Sequence, residues 1–373
     1  MKTRPLQNYG ASVGLEAYDI DWNSQEERDE LGRLCAQECV VFVNERIPTK
    51  VIFDTMTHWG DPSRAFLHES IVEKLVEGRH WRELLVNLGY ISNEVGRELS
   101  QAVSIVSYQR HANGRPRGVF QNGELDWHSD QISIDDSQRI IGLTSVEYTE
   151  GSATQFLCTH DAYESMSESL KSEVRELVVS HKWREGLMAP GLNHAQSLLI
   201  RYNMVPLNGM ETNLYGETAT GLPGLKMPTH SFGNFVGMSE IDSFKLYKTI
   251  CDYVYDPKYV YTRNWQDGQT VFMDQQITLH KRPTNIVDGN KRLMTRTITY
   301  VNHILPNQAR TDKIRYQGQW YNRKDFLQLV DQDRKVFFEN EQYGQYASLD
   351  SDHFPDDAVK AKIYSYEKLK SNV

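Results

Sequence analysis

Near residue 100 the hydrophobic period of this chain changes from helical to extended, and that change limits the folds open to it. Before it, Asn23-Ser24 followed by Glu26 and Glu27 reads as a capped helix start, continued by Leu31, Leu34, Cys35 and Val40 at three-to-four spacing. The β-branched run Val40-Val41-Phe42-Val43 reads as a buried strand. A second helix is expected from Lys50 to Trp59, and two more across Ile71 to Leu88. From Val103 the period is two. Extended segments are expected from Val103 to Tyr108, Gly123 to Ile134, Ile140 to Tyr148, Tyr259 to Thr262, Gln269 to Met273 and Leu293 to Val301. Helical spacing returns from Tyr163 to Val179 and from Ile241 to Tyr255. Helices first and a β-rich centre predict an α+β chain with one main β core.

Between residues 186 and 240, Gly, Pro and Asn are frequent and periodicity is weak, which predicts a long loop-rich segment of the kind used as a lid. After Pro306 the chain is charge-balanced and reads as partly helical from Asp325 to Glu341. No internal repeat or low-complexity tract divides the sequence.

Composition narrows the partners. Across 373 residues, 41 Lys+Arg stand against 50 Asp+Glu, a net charge of −9. Nucleic acid and anionic membranes call for a basic footprint, so neither is expected as a partner. No apolar run approaches the ~18 residues of a transmembrane helix. Met1 to Gly14 carries no apolar stretch suited to secretion. The four cysteines show neither a CxxC pair nor zinc spacing, which fits reduced, buried thiols and a cytoplasmic location.

The most informative stretch is Leu125-Asp126-Trp127-His128-Ser129-Asp130. On a strand, residues i and i+2 share a face, so His128 and Asp130 could grip one divalent ion from one side. A lone His-x-Asp pair is more often a surface hydrogen bond, and with 12 histidines one such pair arises easily by chance. Further along come His280 and the pair Arg292 and Arg296 in Lys291-Arg292-Leu293-Met294-Thr295-Arg296. On a strand Arg292, Met294 and Arg296 share a face. Two guanidinium groups beside an apolar core call for an anion, and their planar forks suit a carboxylate. Solvated arginines on an edge strand are the plainer alternative. Arg110, His111, Arg115 and Arg117 crowd a turn that could steer an anion or be a solvated hairpin tip.

Taken in order, His128-x-Asp130, Gly151-Ser152-Ala153-Thr154-Gln155-Phe156, Asp274-x5-His280 and Arg292-x3-Arg296 resemble the iron(II)/2-oxoglutarate-dependent dioxygenases of the taurine dioxygenase (TauD/TfdA) family. The opening segment from Leu31 to Gly60 is similar too, and the resemblance covers roughly residues 10 to 303. It implies a facial triad of His128, Asp130 and His280 holding Fe(II), with open positions for 2-oxoglutarate and O2. It implies that Arg292 and Thr154 hold the distal carboxylate of 2-oxoglutarate, and that Arg296 touches its proximal carboxylate or the substrate. Ser152-Ala153 and Gln275 depart from the family's usual Gly-Asp and Asn. The halogenating members replace the acid of the triad with a small residue, so the carboxylate of Asp130 implies oxygen insertion or a related hydrogen abstraction in place of chlorination. Tyr108 and Gln131 flank the metal strand and are candidate pocket residues, whereas Trp127 alternates away toward the core.

The resulting expectation is a distorted double-stranded β-helix (jelly-roll) core braced by N-terminal helices, with inserted lid-like loops and a C-terminal extension. Residues 1–305 would form one dioxygenase domain, helical to about residue 100, with the core at ~100–303 and an insert at ~160–255. Residues 306–373 would lie outside it and provide a homo-oligomer contact. The expected activity is hydroxylation of a C–H bond in a small polar, anionic or zwitterionic metabolite, with 2-oxoglutarate decarboxylated to succinate and CO2. The alternatives are desaturation by the same site, or a non-catalytic jelly-roll binding protein with a vestigial site. Three protein ligands are one short of a structural zinc site.

Overall fold

Strands dominate the described residues because the chain's period-two segments find partners far away in sequence. The computed structural model describes residues 1–6, 10–60, 103–109, 112, 125–130, 138–182, 209–283, 291–301, 303–305, 313–322, 325–326 and 328–329. The N-terminal part holds β1 (Lys2–Pro5), β2 (Leu15–Tyr18), α1 (Gln25–Glu38), β3 (Val40–Val43) and α2 (Thr49–Trp59). Next come β4 (Val103–Ser107), β5 (Leu125–His128), β6 (Arg139–Glu147), β7 (Ala153–Cys158), α3 (His160–Glu164) and α4 (Glu168–Glu176). The strands β8 (Val178–His181), β9 (Met210–Asn213), β10 (Tyr215–Glu217), β11 (Pro223–Leu225) and β12 (Phe232–Phe235) lead to α5 (Glu240–Val254). Finally β13 (Val260–Asn264), β14 (Thr270–Asp274), β15 (Thr278–Arg282), β16 (Leu293–Tyr300), β17 (Lys313–Tyr316) and β18 (Gln319–Asn322) follow.

Among the described residues these strands form four sheets. The largest runs β1-β2-β3-β14-β6-β16-β4, antiparallel except for the parallel β2–β3 pair. A second runs β13-β7-β15-β5, antiparallel throughout. A third runs β12-β8-β9-β17-β18, and β10 and β11 make a small hairpin-like pair. The result is a mixed, strand-rich α/β architecture with few helices.

Both N-terminal helices pack on the largest sheet. Ser24 caps α1, its Oγ accepting from Glu27 N–H at 3.3 Å. Leu31 and Cys35 of α1 and Ile52, Met56 and Trp59 of α2 bury against Val41, Ile140 and Phe272. The Trp59 indole meets the Phe272 ring edge-on at 5.2 Å and donates Nε1–H to the Arg28 carbonyl at 2.8 Å. Gly32 permits this approach: a Cβ there would lie 2.9 Å from the indole.

Several expectations are corrected. The helix expected from Tyr163 to Val179 is two short helices, α3 and α4, broken at Ser165–Ser167, and Val178–His181 is a strand. Ser167 starts a new helix as an N-cap, its Oγ accepting from Leu170 N–H, so the apolar spacing is shared by two helices and a strand. Of the loop expected at 186–240, residues 183–208 lie outside the described residues, and 209–240 carry four short strands. Their pairing explains why alternation did not reveal them: β9 is held between β8 and β17, and its Met210 packs with Ile314, Tyr316 and Phe326. Residues 313–322 of the expected outer extension are therefore strands of the third sheet. β1, with four exposed residues, also has no apolar pattern. The helices expected across 71–88, most of the one from Asp325 to Glu341, and the Arg110, His111, Arg115 and Arg117 turn lie outside the described residues.

Candidate metal centre

β5 and β15 are neighbours in the four-stranded sheet, and their register places His128 directly opposite His280. The two imidazoles lie 4.1 Å apart between centroids. Asp130 follows β5 by two residues, bringing its Oδ1 within 3.8 Å of His128 Nε2. One ligand atom from each of His128, Asp130 and His280 lies within 4.8 Å of the others, a spacing that can hold a metal ion.

Hydrogen bonds orient the donors. His128 Nδ1–H donates to the Asp126 carbonyl at 2.6 Å, which leaves Nε2 as the lone-pair nitrogen facing Asp130. Arg296 Nη1 donates to Asp130 Oδ2 at 2.7 Å. Asp130 N–H donates to Gln275 Oε1 at 2.8 Å, and Ser129 Oγ–H donates to the Gln275 carbonyl at the same distance. Gln275 thus pins the turn that carries Asp130 and also begins the connection from β14 to β15. His280 Nδ1 is buried with no hydrogen-bond partner among the described residues.

Electrostatics favour the ligating forms. Burial, helped by the neighbouring His280, lowers the His128 pKa to about 3, against the pull of Asp130. Burial also lowers that of His280. Burial alone would raise Asp130, but the Arg296 guanidinium and the two imidazoles hold it below its ordinary value. Two neutral imidazoles and one carboxylate are the donor set that suits a divalent transition metal such as Fe(II). The residues present therefore fit the iron implied by the sequence.

A cavity opens beside the cluster, between the seven-stranded and the four-stranded sheets. The four-stranded sheet contributes Leu125, His128, Thr154, His280 and Arg282. From the seven-stranded side come Val106, Leu143, Met273, Met294 and Arg296, with Arg292 just ahead of β16. Thr154 Oγ1 accepts from the Trp265 indole at 2.9 Å, which leaves its own proton to donate elsewhere. The Tyr108 ring lies beside the Arg292 guanidinium at 4.9 Å, and the Arg292 carbonyl accepts from Tyr108 N–H and Ser107 Oγ–H.

The structure thus gathers His128, Asp130, His280, Thr154, Arg292 and Arg296 about one cavity, with the Tyr108 ring against Arg292. Gln131 lies outside the described residues. Trp127 packs away from the site, its ring tilted against Tyr255 at 6.2 Å. Sequence reasoning did not single out Trp265 or Arg282. Arg282 had a usable signal, since it follows His280 by two residues on a strand; Trp265 had none, because β13 and β7 meet only in the fold.

A strand-rich α/β chain with two histidines and an aspartate converging beside a buried pair of arginines has the makings of a 2-His-1-carboxylate iron protein. Residues 2–298 match the family described as taurine catabolism dioxygenase TauD, TfdA, and the chain belongs to that family. Its members are dioxygenases that use Fe(II), 2-oxoglutarate and O2. Among solved structures, a taurine dioxygenase from Burkholderia xenovorans superposes with a TM-score of 0.56 at 18% identity, covering 81% of this chain and 89% of that one. AAD-2 in complex with Mn(II) and N-oxalylglycine also gives 0.56, at 17% identity, covering 81% and 98%. At those identities the likeness is one of fold. An alkylsulfatase of Acinetobacter baylyi is 27% identical over 183 residues, 48% of this chain and 57% of that protein. Pentalenolactone F synthase of Streptomyces arenae is 25% identical over 179 residues, 46% and 60%. The chain thus aligns with less than two thirds of either curated relative. Among the described residues no helix is long and apolar enough to cross a membrane.

Proposed function

We propose that this protein is an Fe(II)/2-oxoglutarate-dependent dioxygenase that hydroxylates a C–H bond of a small anionic or zwitterionic metabolite. The observation that carries the reading is the convergence of His128, Asp130 and His280 beside a cavity that His128, His280, Thr154, Arg292 and Arg296 line. The seven- and four-stranded sheets would be the two walls of a double-stranded β-helix, with residues 1–305 as the dioxygenase domain. The names of the relatives, which include a taurine dioxygenase and an alkylsulfatase, favour a substrate bearing an anionic group.

In this reading Nε2 of His128, a carboxylate oxygen of Asp130 and a ring nitrogen of His280 hold the iron. When bound, iron with 2-oxoglutarate supplies the oxidising chemistry that couples decarboxylation to attack on a C–H bond. The chain's own residues do the rest. Arg292 pairs with the distal carboxylate of 2-oxoglutarate through its planar fork, and Thr154 donates its free hydroxyl proton to the same group. Arg296 keeps Asp130 ionised and orients its carboxylate. Val106, Leu143, Met273 and Met294 make the wall apolar, which excludes water and strengthens each polar contact inside.

Anaerobic titration with Fe(II) and then 2-oxoglutarate tests this directly. A weak visible charge-transfer band should develop in the wild type and vanish in His280→Ala. A His280→Ala protein that binds iron as tightly as the wild type removes that residue from the ligand set.

A further inference from the structure

Arg282 ends β15 two residues beyond His280, so both side chains leave the strand on one face, and both line the cavity. The β7–β15 ladder sets His280 opposite Phe156 and Lys281 opposite Gln155. One further step of that antiparallel register brings Arg282 alongside Thr154, another lining residue. The Tyr108 ring that lies by Arg292 also lies by Arg282, at 5.5 Å from its guanidinium.

Four residues from separate parts of the fold therefore bring donors together: Arg282 on β15, Thr154 on β7, Arg292 just ahead of β16 and Tyr108 just after β4. Arg282 and Arg292 are 4% and 2% exposed, and neither guanidinium can accept a hydrogen bond. The Thr154 hydroxyl accepts from the Trp265 indole and has its own proton left to donate. The Tyr108 hydroxyl is buried and has no hydrogen-bond partner among the described residues. Such a set of donors is complementary to a group that only accepts, and a carboxylate, with about four lone-pair directions, is the small group that matches two planar forks and a hydroxyl.

We propose that Arg282 is a second guanidinium for the distal carboxylate of 2-oxoglutarate, acting beside Arg292 and Thr154 and setting the preference for a 2-oxo diacid over a 2-oxo monoacid. This rests on the function proposed above. The metal triad and Arg292 would bind the cosubstrate in any member using the same motifs; Arg282 adds a specificity-determining contact on the strand that carries His280. Its effect is on recognition of the far end of the molecule and leaves the keto-acid end untouched.

Calorimetric titration of the Mn(II)-loaded protein under anaerobic conditions separates these ends. The probes are 2-oxoglutarate and 2-oxopentanoate, which has a methyl group in place of the distal carboxylate. The wild type should prefer 2-oxoglutarate strongly. Arg282→Gln should lose about tenfold or more of that preference, as expected for a hydrogen bond to a charged group, with 2-oxopentanoate affinity nearly unchanged. Arg282→Lys keeps the charge without the fork, and should bind 2-oxoglutarate more weakly than the wild type while still preferring it to the monoacid.

A purely structural arginine would weaken both ligands together and leave their ratio intact. A Gln variant with the wild-type ratio overturns the inference and leaves the proposed function standing. If the Gln variant does not fold, the Lys variant decides: wild-type affinity for both ligands overturns the inference. A wild type that binds 2-oxoglutarate no better than 2-oxopentanoate overturns the inference, and one that binds neither overturns the proposed function with it.

Discussion

At the scale of single residues, the site depends on side chains that orient other side chains. Trp265 gives Thr154 an indole N–H, so the hydroxyl proton points away from that bond. Trp265→Phe keeps an aromatic ring, a smaller one, and deletes the donor. It is expected to weaken 2-oxoglutarate binding several-fold, consistent with the modest net worth of a neutral hydrogen bond. Calorimetry on the Mn(II)-loaded protein would measure this, and unchanged affinity would remove the indole from the account. Asp274 poses a different problem. Its Oδ1 accepts from Gln276 and Ile277 N–H in the turn that leads to β15, yet the side chain is almost wholly buried. Burial raises its pKa from 3.8 to about 7, against those backbone hydrogen bonds. The folded protein therefore holds this proton more tightly than the unfolded chain. The associated stability is fully present below about pH 4 and is lost as pH rises through about 7. Asp274→Asn keeps an acceptor for the turn and cannot ionise. Its denaturation midpoint should rise relative to the wild type between pH 5 and pH 8, and a constant difference across that range would contradict the assignment.

Elements were legible where their own residues declare them. α1 was readable because Ser24, the acidic first turn and Leu31, Leu34 and Cys35 all specify one helix. Removing the cap hydrogen bond with Ser24→Ala should lower stability by about 1 kcal/mol, measurable by urea denaturation with little change in cosubstrate affinity. β14 and β16 were readable because every residue of each is buried in a sheet interior and, Asp274 and Arg296 aside, the runs are apolar, aromatic or β-branched. By contrast β9, β10 and β11 are three or four residues long, with Gly, Pro and Asn among them. They exist because a neighbouring strand completes their hydrogen bonds. No local pattern announces such a partner.

At the scale of the whole molecule, the site joins two sheets. His128, His280, Thr154 and Arg282 come from one, while Arg296 and the approach to β16 come from the other. A ligand set that bridges both walls should couple binding to global stability. Mn(II) with 2-oxoglutarate at a hundred times the dissociation constant is expected to stabilise the fold by about 2.7 kcal/mol. Differential scanning calorimetry would record a raised Tm, and His128→Ala should abolish the rise. A Tm indifferent to both ligands would mean that the cluster does not bind them in the folded state.

The sequence by itself determined the ligand types and their same-face spacing, since His128-x-Asp130 and Arg292-x3-Arg296 follow from strand geometry. It also determined the order of motifs that marks the family. Only the tertiary structure decided that His280 stands across from His128, that Arg296 binds Asp130, and that Arg282 reaches the neighbourhood of Thr154 and Tyr108. The physical reason is the range of each interaction. Backbone period fixes which face a side chain leaves within one strand, whereas the register between strands separated by some 150 residues is set by the packing of two whole sheets.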